Sequence, residues 1–296
     1  MEKGNLADSG LGSKAIRDLL ESHGFRFSRS LGQNFLVDAN IPEKIVRLSG
    51  IDSSCGVLEV GPGIGALTSA LSVNAGHVVA VELDRRLVPI LRDKFVGAPQ
   101  VEIVQGDILK LDVATLVTER MPGMRHVVCA NLPYNITTPS LTAFISAGIF
   151  DSITVMIQRE VARRLCAKPA TPEYGAFSVF VNYHTEPEAL FDVPPDCFVP
   201  RPGVYSTVVT MKTRAVRLLA REDEALFFRV VRAAFGQRRK TLLNALHAAF
   251  GNVLDKEGVA EIIKKCGFDP RVRGETLSTE DFARLSAGFR CISETE

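Results

Sequence analysis

The chain has 296 residues, enough for one large domain and a smaller companion, because single hydrophobic cores stop growing at roughly 250–300 residues. Its 46% hydrophobic content is that of a globular protein, and no apolar run approaches the ~18 residues of a spanning helix. Met1-Glu2-Lys3-Gly4-Asn5 lacks the basic-then-apolar order of a signal peptide, so no membrane association and a cytoplasmic address are expected, with a monomer as the default state. The net charge of +1 does not announce a nucleic-acid binder, but the segment from Lys212 to Lys240 carries nine Lys/Arg against three acids, a local excess of six. That run reads equally as a solvated helix face or as a phosphate-facing surface. The six cysteines (Cys55, Cys129, Cys166, Cys197, Cys266, Cys291) form no C-x-x-C pair, and the five histidines fall in no catalytic or ligand spacing. Reduced thiols and no metal are expected.

In chain order, the first ten residues are polar and glycine-containing and are expected to fray. From Gly56 to Gln158 short β-branched runs alternate with helix-period segments, the signature of βαβ units on a parallel sheet. Strands are predicted at Val57–Val60, His77–Val81, Val101–Val104, His126–Ala130 and Ile153–Ile157, each apolar enough to be covered on both faces. Helices are predicted at Ala66–Val73, Asp84–Asp93 and Ser140–Ala147. Two later runs, Phe177–Tyr183 and Thr207–Met211, have β character and are expected to close the sheet at an edge as an antiparallel addition. After about Arg214 only helix periods remain, at Glu224–Phe235, Thr241–Phe250, Lys256–Cys266 and Thr279–Phe289. The expected organisation is an α/β domain over residues 1–214 and a small all-helical domain over 215–296.

Leu58-Glu59-Val60-Gly61-Pro62-Gly63-Ile64-Gly65-Ala66 places three glycines between a predicted strand and a helix, where backbone must approach a ligand closely. Glu82, at the end of the second strand, completes a fingerprint that dinucleotides and S-adenosylmethionine share, with the acid on ribose hydroxyls. Asp107, in Gln105-Gly106-Asp107, follows the third strand and Asn131 the fourth, so successive strand ends carry acceptors for a ribose, an adenine amino group and a third partner. S-adenosylmethionine, which has no pyrophosphate, needs no more than these carboxylates for its ribose and base.

Asn131-Leu132-Pro133-Tyr134 has a chemical reason at each position. An exocyclic amine is a poor nucleophile because its lone pair is delocalised into the ring. Acceptance of its two N–H groups by the Asn131 side-chain oxygen and the Leu132 carbonyl favours the pyramidal form. Pro133 fixes the turn without adding an N–H, and Tyr134 offers a face on which a base can stack. Phe198, in Cys197-Phe198-Val199-Pro200-Arg201-Pro202, is a second candidate ring on a stiff loop.

These stretches, with Ser30-Leu31-Gly32-Gln33-Asn34-Phe35-Leu36-Val37-Asp38 and Gln237-Arg238-Arg239-Lys240-Thr241-Leu242, resemble the bacterial small-subunit rRNA adenine dimethyltransferases, the KsgA/RsmA family, relatives of the Erm resistance methylases. The resemblance runs from about Arg26 to Phe289. It implies a Rossmann-like S-adenosylmethionine-dependent methyltransferase sheet and a helical rRNA-binding domain. It implies contacts to S-adenosylmethionine from Asn34, Leu36, Gly61, Glu82, Asp107 and Asn131, and a target adenine framed by Asn131, Leu132, Tyr134 and Phe198. The implied product is N6,N6-dimethyladenosine at two adjacent adenosines in the 3′-terminal hairpin loop of 16S rRNA, within the small subunit or its precursor, with a role in subunit maturation. One departure stands out: where the family usually has Lys-Val-Asp-Ser, this chain has Gly203-Val204-Tyr205-Ser206. Three other readings are weaker. A protein or DNA methyltransferase with Asn-Pro-Pro-Tyr would have proline at Leu132, a non-catalytic assembly factor would not need Asn131 and Tyr134, and an NAD oxidoreductase would need a hydride-transfer constellation that the sequence lacks.

Overall fold

A computed structural model describes residues 33–290. The first ten residues, Ser30-Leu31-Gly32 and Cys291 lie outside the described residues. The described part forms two compact units: one takes in the chain up to Ala162 together with Glu188–Thr213, the other Arg163–Pro187 and the chain from Arg214 on.

The first unit is built on a seven-stranded sheet. In chain order its elements are β1 (Phe35–Leu36), α1 (Asn40–Ser49), β2 (Cys55–Val60), α2 (Ala66–Asn74), β3 (His77–Glu82), α3 (Leu87–Lys94), β4 (Val101–Gln105), α4 (Val113–Arg120), β5 (Arg125–Asn131), α5 (Thr137–Ala147) and β6 (Ser152–Gln158). α6 (Arg159–Leu165) and α7 (Ala176–His184) then lead to β7 (Thr185–Val193), β8 (Phe198–Val199) and β9 (Ser206–Thr213). The sheet order is β4-β3-β2-β5-β6-β9-β7. Strands β4 to β6 are mutually parallel, as helical crossovers between β-branched runs require, and β9 runs antiparallel to β6. All six residues of β2 are buried, which is why the run does not alternate and is uncharged everywhere but at Glu59. The chain fills one side of β2 with β3 and β4, then crosses to β5 on the other side, so the strand order reverses beside β2, where α/β sheets place their ligands.

Two strand expectations need correction. Phe177–Tyr183 is the helix α7. Gly175 N–H donates to Ser178 Oγ at its start (3.1 Å), and at helical spacing the Phe177 ring stacks on Phe180, which meets His184 edge-on, with centroids 5.9 and 5.0 Å apart. The edge strand is instead β7, whose Glu186, Pro187, Glu188 and Asp192 hide its β character while suiting an exposed edge. The Thr207–Met211 run is a strand as expected, but it lies one place in from the edge, with all five of its residues buried.

The second unit is helical: α7 with α8 (Glu224–Gly236), α9 (Leu242–Phe250), α10 (Lys256–Lys265) and α11 (Thr279–Gly288). Its core holds Phe227, Leu246, Phe250, Phe282 and Phe289, all fully buried. Residues 163–187 join this unit because α7 packs on α8, with Tyr183 and Phe227 rings 4.6 Å apart, and because Tyr174 donates its hydroxyl to Leu277 O at 2.9 Å. Ser278 caps α11 reciprocally with Asp281, at 3.0 Å in each direction. Ser278→Ala is therefore expected to destabilise the protein by about 1 kcal/mol, read as a lowered denaturation midpoint at an unchanged denaturant slope.

Candidate active site

The site grows out of the exit of β2. Gly61, Gly63 and Gly65 all have left-handed backbones, with φ of 66°, 61° and 76°. At two of them a side chain would also collide. A Cβ on Gly63 would lie 2.8 Å from the Phe35 ring and one on Gly65 2.7 Å from the Phe95 ring. The turn is pinned by Gly61 N–H to Val81 O (2.9 Å) and Gly65 N–H to Pro62 O (2.8 Å). Lys94, largely buried, donates its Nζ to the carbonyls of Ile64 and Gly65 at 3.1 and 3.2 Å.

Glu82 ends β3 and is 5% exposed. Its Oε2 accepts the Gly63 N–H (3.3 Å) and its Oε1 the Asp84 N–H (2.8 Å). Burial pushes its carboxyl up to about 7 against the pull of these N–H donors. Glu59, inside β2 and 1% exposed, is pushed up to about 8 by burial. Asp107 stands just beyond β4, where Gly106 N–H donates to Glu82 O (2.9 Å). The Asp107 carboxylate accepts the Leu109 N–H at 3.1 Å and lies 3.7 Å from Lys110 Nζ.

Asn131 ends β5 opposite Met156 of β6. Its Nδ2 donates to the Asn34 carbonyl (3.4 Å), leaving the amide oxygen as the atom that accepts from a ligand. Leu132, 1% exposed, donates its N–H to Met156 O (3.1 Å). Pro133 then turns the chain into a short 3-10 helix that begins at Tyr134. The Tyr134 hydroxyl pairs with Ser206 Oγ at 2.8 Å, and burial pushes its ionisation upward.

One cavity gathers these groups. It holds about 1140 Å³ of empty space, part of it open to solvent, and is lined by Asn34, Leu36, Gly61, Glu82, Asp107, Asn131, Leu132 and Tyr134, that is, by every predicted site residue except Phe198. Phe198 is 2% exposed and packs in the core with Leu36, Ile45 and Cys129, since it lies opposite Leu36 in the β1–β8 pair. Leu83 and Ile108 also line the cavity. Each directly follows a strand-end residue of the fingerprint or its neighbour, but a lone apolar residue carries no chemical signal in sequence. Ser206 was invisible for the same reason: only the fold brings it to Tyr134.

The donor set fits S-adenosylmethionine. A turn with no room for Cβ atoms admits a close backbone approach, a buried acid at one strand end suits a ribose diol, and a second carboxylate with Leu83 and Ile108 beside it suits an adenine. Fold and site together define a Rossmann-like S-adenosylmethionine-dependent methyltransferase. Residues 24–287 match the ribosomal RNA adenine dimethylases, and the chain belongs to that family. It is 44% identical over 280 residues to ribosomal RNA small subunit methyltransferase A of Geobacillus sp. (strain WCH70), covering 93% of this chain and 96% of that one. Its identity to the protein of the same name from Shouchella clausii (strain KSM-K16) is 46% over 270 residues, covering 90% and 91%. Among solved structures, the 23S rRNA methyltransferase ErmE is similar at TM-score 0.69 and 25% identity, over 86% of this chain and 99% of that one. A dimethyladenosine transferase from Plasmodium falciparum shares the fold at TM-score 0.77 and 24% identity, over 88% and 98%.

In the second unit, part of the basic run is already engaged. Arg238 donates Nε to Glu275 (2.8 Å) and its NH2 group to Pro172 O (2.6 Å), and Arg217 pairs with Glu224. Arg214 faces Glu186 and Glu280. Arg239 and Lys240 are exposed and make no ion pair among the described residues.

The two raised carboxyls make a testable stability curve. Between about pH 4.5 and 7 the folded chain keeps a proton on Glu82 that the unfolded chain has released, so stability falls as pH rises across that window and is level above it. Glu59 extends the fall to about pH 8. Denaturation of the unliganded protein from pH 4 to 9 should show this decline, and Glu82→Gln should make it shallower between about pH 4.5 and 7 while leaving the Glu59 contribution, which runs on to about pH 8.

Proposed function

We propose that this chain dimethylates N6 of two adjacent adenosines in the 3′-terminal hairpin loop of 16S rRNA, in the small ribosomal subunit or its precursor, as a monomer in the cytoplasm with a part in subunit maturation. The observation that carries the reading is the convergence of Asn131, Leu132 and Tyr134 with the glycine turn, Glu82 and Asp107 on the lining of one cavity. No helix among the described residues is long and apolar enough to cross a membrane, in keeping with a ribosomal substrate.

S-adenosylmethionine, when bound, supplies an electrophilic methyl group on a sulfonium. Glu82 holds the ribose hydroxyls, Asp107 the adenine amino group, and the backbone around Gly61 with Asn34 and Leu36 the remainder. Asn131 Oδ1 and the Leu132 carbonyl accept the two N–H groups of the target amine, which localises its lone pair, and the Tyr134 ring holds the splayed base. Such a site works by alignment, so no strong base is needed. Phe198, packed behind Leu36, serves the base through the β1–β8 pair that it anchors. The helical region from 215 to 296 engages rRNA, with Arg239 and Lys240 as its open phosphate contacts.

Two outcomes test this. Incubating unmethylated small ribosomal subunits with labelled S-adenosylmethionine, followed by nucleoside analysis, should yield N6,N6-dimethyladenosine, and Asn131→Ala should weaken donor binding and slow transfer by roughly a hundredfold or more, the scale of losing a preorganised hydrogen-bond partner. Normal-rate dimethylation by that variant would remove the amine-holding role. Replacing Arg239 and Lys240 together with Ala should weaken rRNA binding and reduce its salt slope by about two contacts. An unchanged slope would make the pair an ordinary solvated face.

A further inference from the structure

At the carboxyl edge of the sheet, just past β6, Arg159 and Tyr205 form a unit of their own. Gln158, the last residue of β6, lies opposite Ser206, the first of β9. Arg159 N–H donates to Tyr205 O (3.0 Å), and its guanidinium lies over the Tyr205 ring, Cζ 4.6 Å from the centroid. NH1 of Arg159 is 3.7 Å from Asp192 Oδ2, while Asp192 Oδ1 accepts the Thr207 hydroxyl at 2.6 Å. Arg159 is thus held in place by backbone, ring and carboxylate at once. Tyr205 nonetheless remains 43% exposed and its neighbour Val204 46% exposed.

Position makes this exposure informative. The next residue, Ser206, is fully buried and holds the hydroxyl of Tyr134, a wall of the cavity, so Tyr205 stands one residue outside the site and is not part of its lining. Single-stranded RNA that inserts one base into a pocket must lay its neighbouring nucleotide on the rim, and bases bind there by stacking on aromatic and guanidinium planes. A ring already clamped by a cation loses little freedom when a base lands on it. The resemblance leads one to expect Lys at 203 and Asp at 205. This chain instead drops a cation and exchanges an acid, which an RNA backbone would repel, for a flat apolar face.

We propose that Tyr205, braced by Arg159, is the stacking ledge for the nucleotide adjacent to the target adenosine, a positioning residue that sets RNA affinity rather than chemistry. The inference rests on the function proposed above. Its test is steady-state dimethylation of unmethylated small ribosomal subunits by the wild type, Tyr205→Ala, Tyr205→Leu and Tyr205→Phe, with donor affinity and melting temperature measured in parallel. Loss of one base–aromatic stack should raise KM for the subunit by roughly five- to a hundredfold in the Ala and Leu variants, with kcat, donor affinity and melting temperature near wild type, and the Phe variant should keep the wild-type KM. A merely structural cover over Arg159 predicts the opposite pattern, in which Leu preserves function and Ala lowers the melting temperature. That pattern, or an unchanged KM in both Ala and Leu, would overturn the ledge while leaving the parent reading intact. A wild type that transfers no methyl to the subunit would sink both.

Discussion

The geometry of the cavity hangs on a close approach between backbone and ring at Gly63. Its left-handed φ would cost any side-chain-bearing residue roughly 1–2 kcal/mol in strain, and the Phe35 ring lies where a Cβ would go. Phe35 is thereby seated over the turn, and with it β1, whose pairing to β8 sets the neighbouring Asn34. The Asn34 carbonyl in turn takes the Asn131 amide N–H and fixes which way its oxygen faces. A conformational property of one glycine is thus transmitted through a ring and a two-residue strand to the Asn131 amide. Enlarging Gly63 would disturb both halves of the site together.

The same turn divides its polar groups by direction. Its Gly63 N–H points to Glu82, while the carbonyls of Ile64 and Gly65 are taken by Lys94 behind it. Burying a cation and two acids is costly, and burial lowers the Lys94 pKa just as it raises those of Glu59 and Glu82. The unliganded protein therefore carries electrostatic strain at its ligand edge. A diol donating two hydrogen bonds to Glu82 offsets part of that cost, so affinity and relief of strain reside in the same carboxylate.

Much of this was legible in the sequence because the informative residues are constrained by backbone chemistry. Buried parallel strands must be apolar, strand–helix turns that meet a ligand must be glycine-rich, and the groups at successive strand ends follow from the topology. The misreadings arose where composition and environment part company. Phe177–Tyr183 looks like a strand because aromatic and β-branched residues suit sheets, yet its rings recur at helical spacing and touch one another along α7. The true edge strand, Thr185–Val193, was concealed by the charges and proline that make an exposed edge safe. Phe198 was expected at the cavity from loop stiffness; it is packed among Leu36, Ile45 and Cys129 and is absent from the lining, although its partner Leu36 is part of it. Tyr205 stands out in sequence only as part of the departure at 203–206, and Ser206 not at all, since what each touches, Arg159 and Tyr134, lies across long sequence separations.

The residues around the target position also limit what kind of chemistry the site can perform. Asn131 is an amide, Leu132 presents a backbone carbonyl, and the one titratable group among these neighbours is the Tyr134 hydroxyl. That hydroxyl is committed to Ser206 and its ionisation is pushed upward by burial, so at neutral pH it is a protonated, anchored group and not a base. What Tyr134 presents to a ligand is its ring. A site built this way accepts N–H groups and holds a plane but takes no proton in the rate-limiting event, which suits an amine whose proton leaves to water only after it has become an ammonium. Under the proposed function the catalytic power comes from alignment and from oxygen atoms fixed in advance, which gives the contact of Asn131 with Asn34 its importance there.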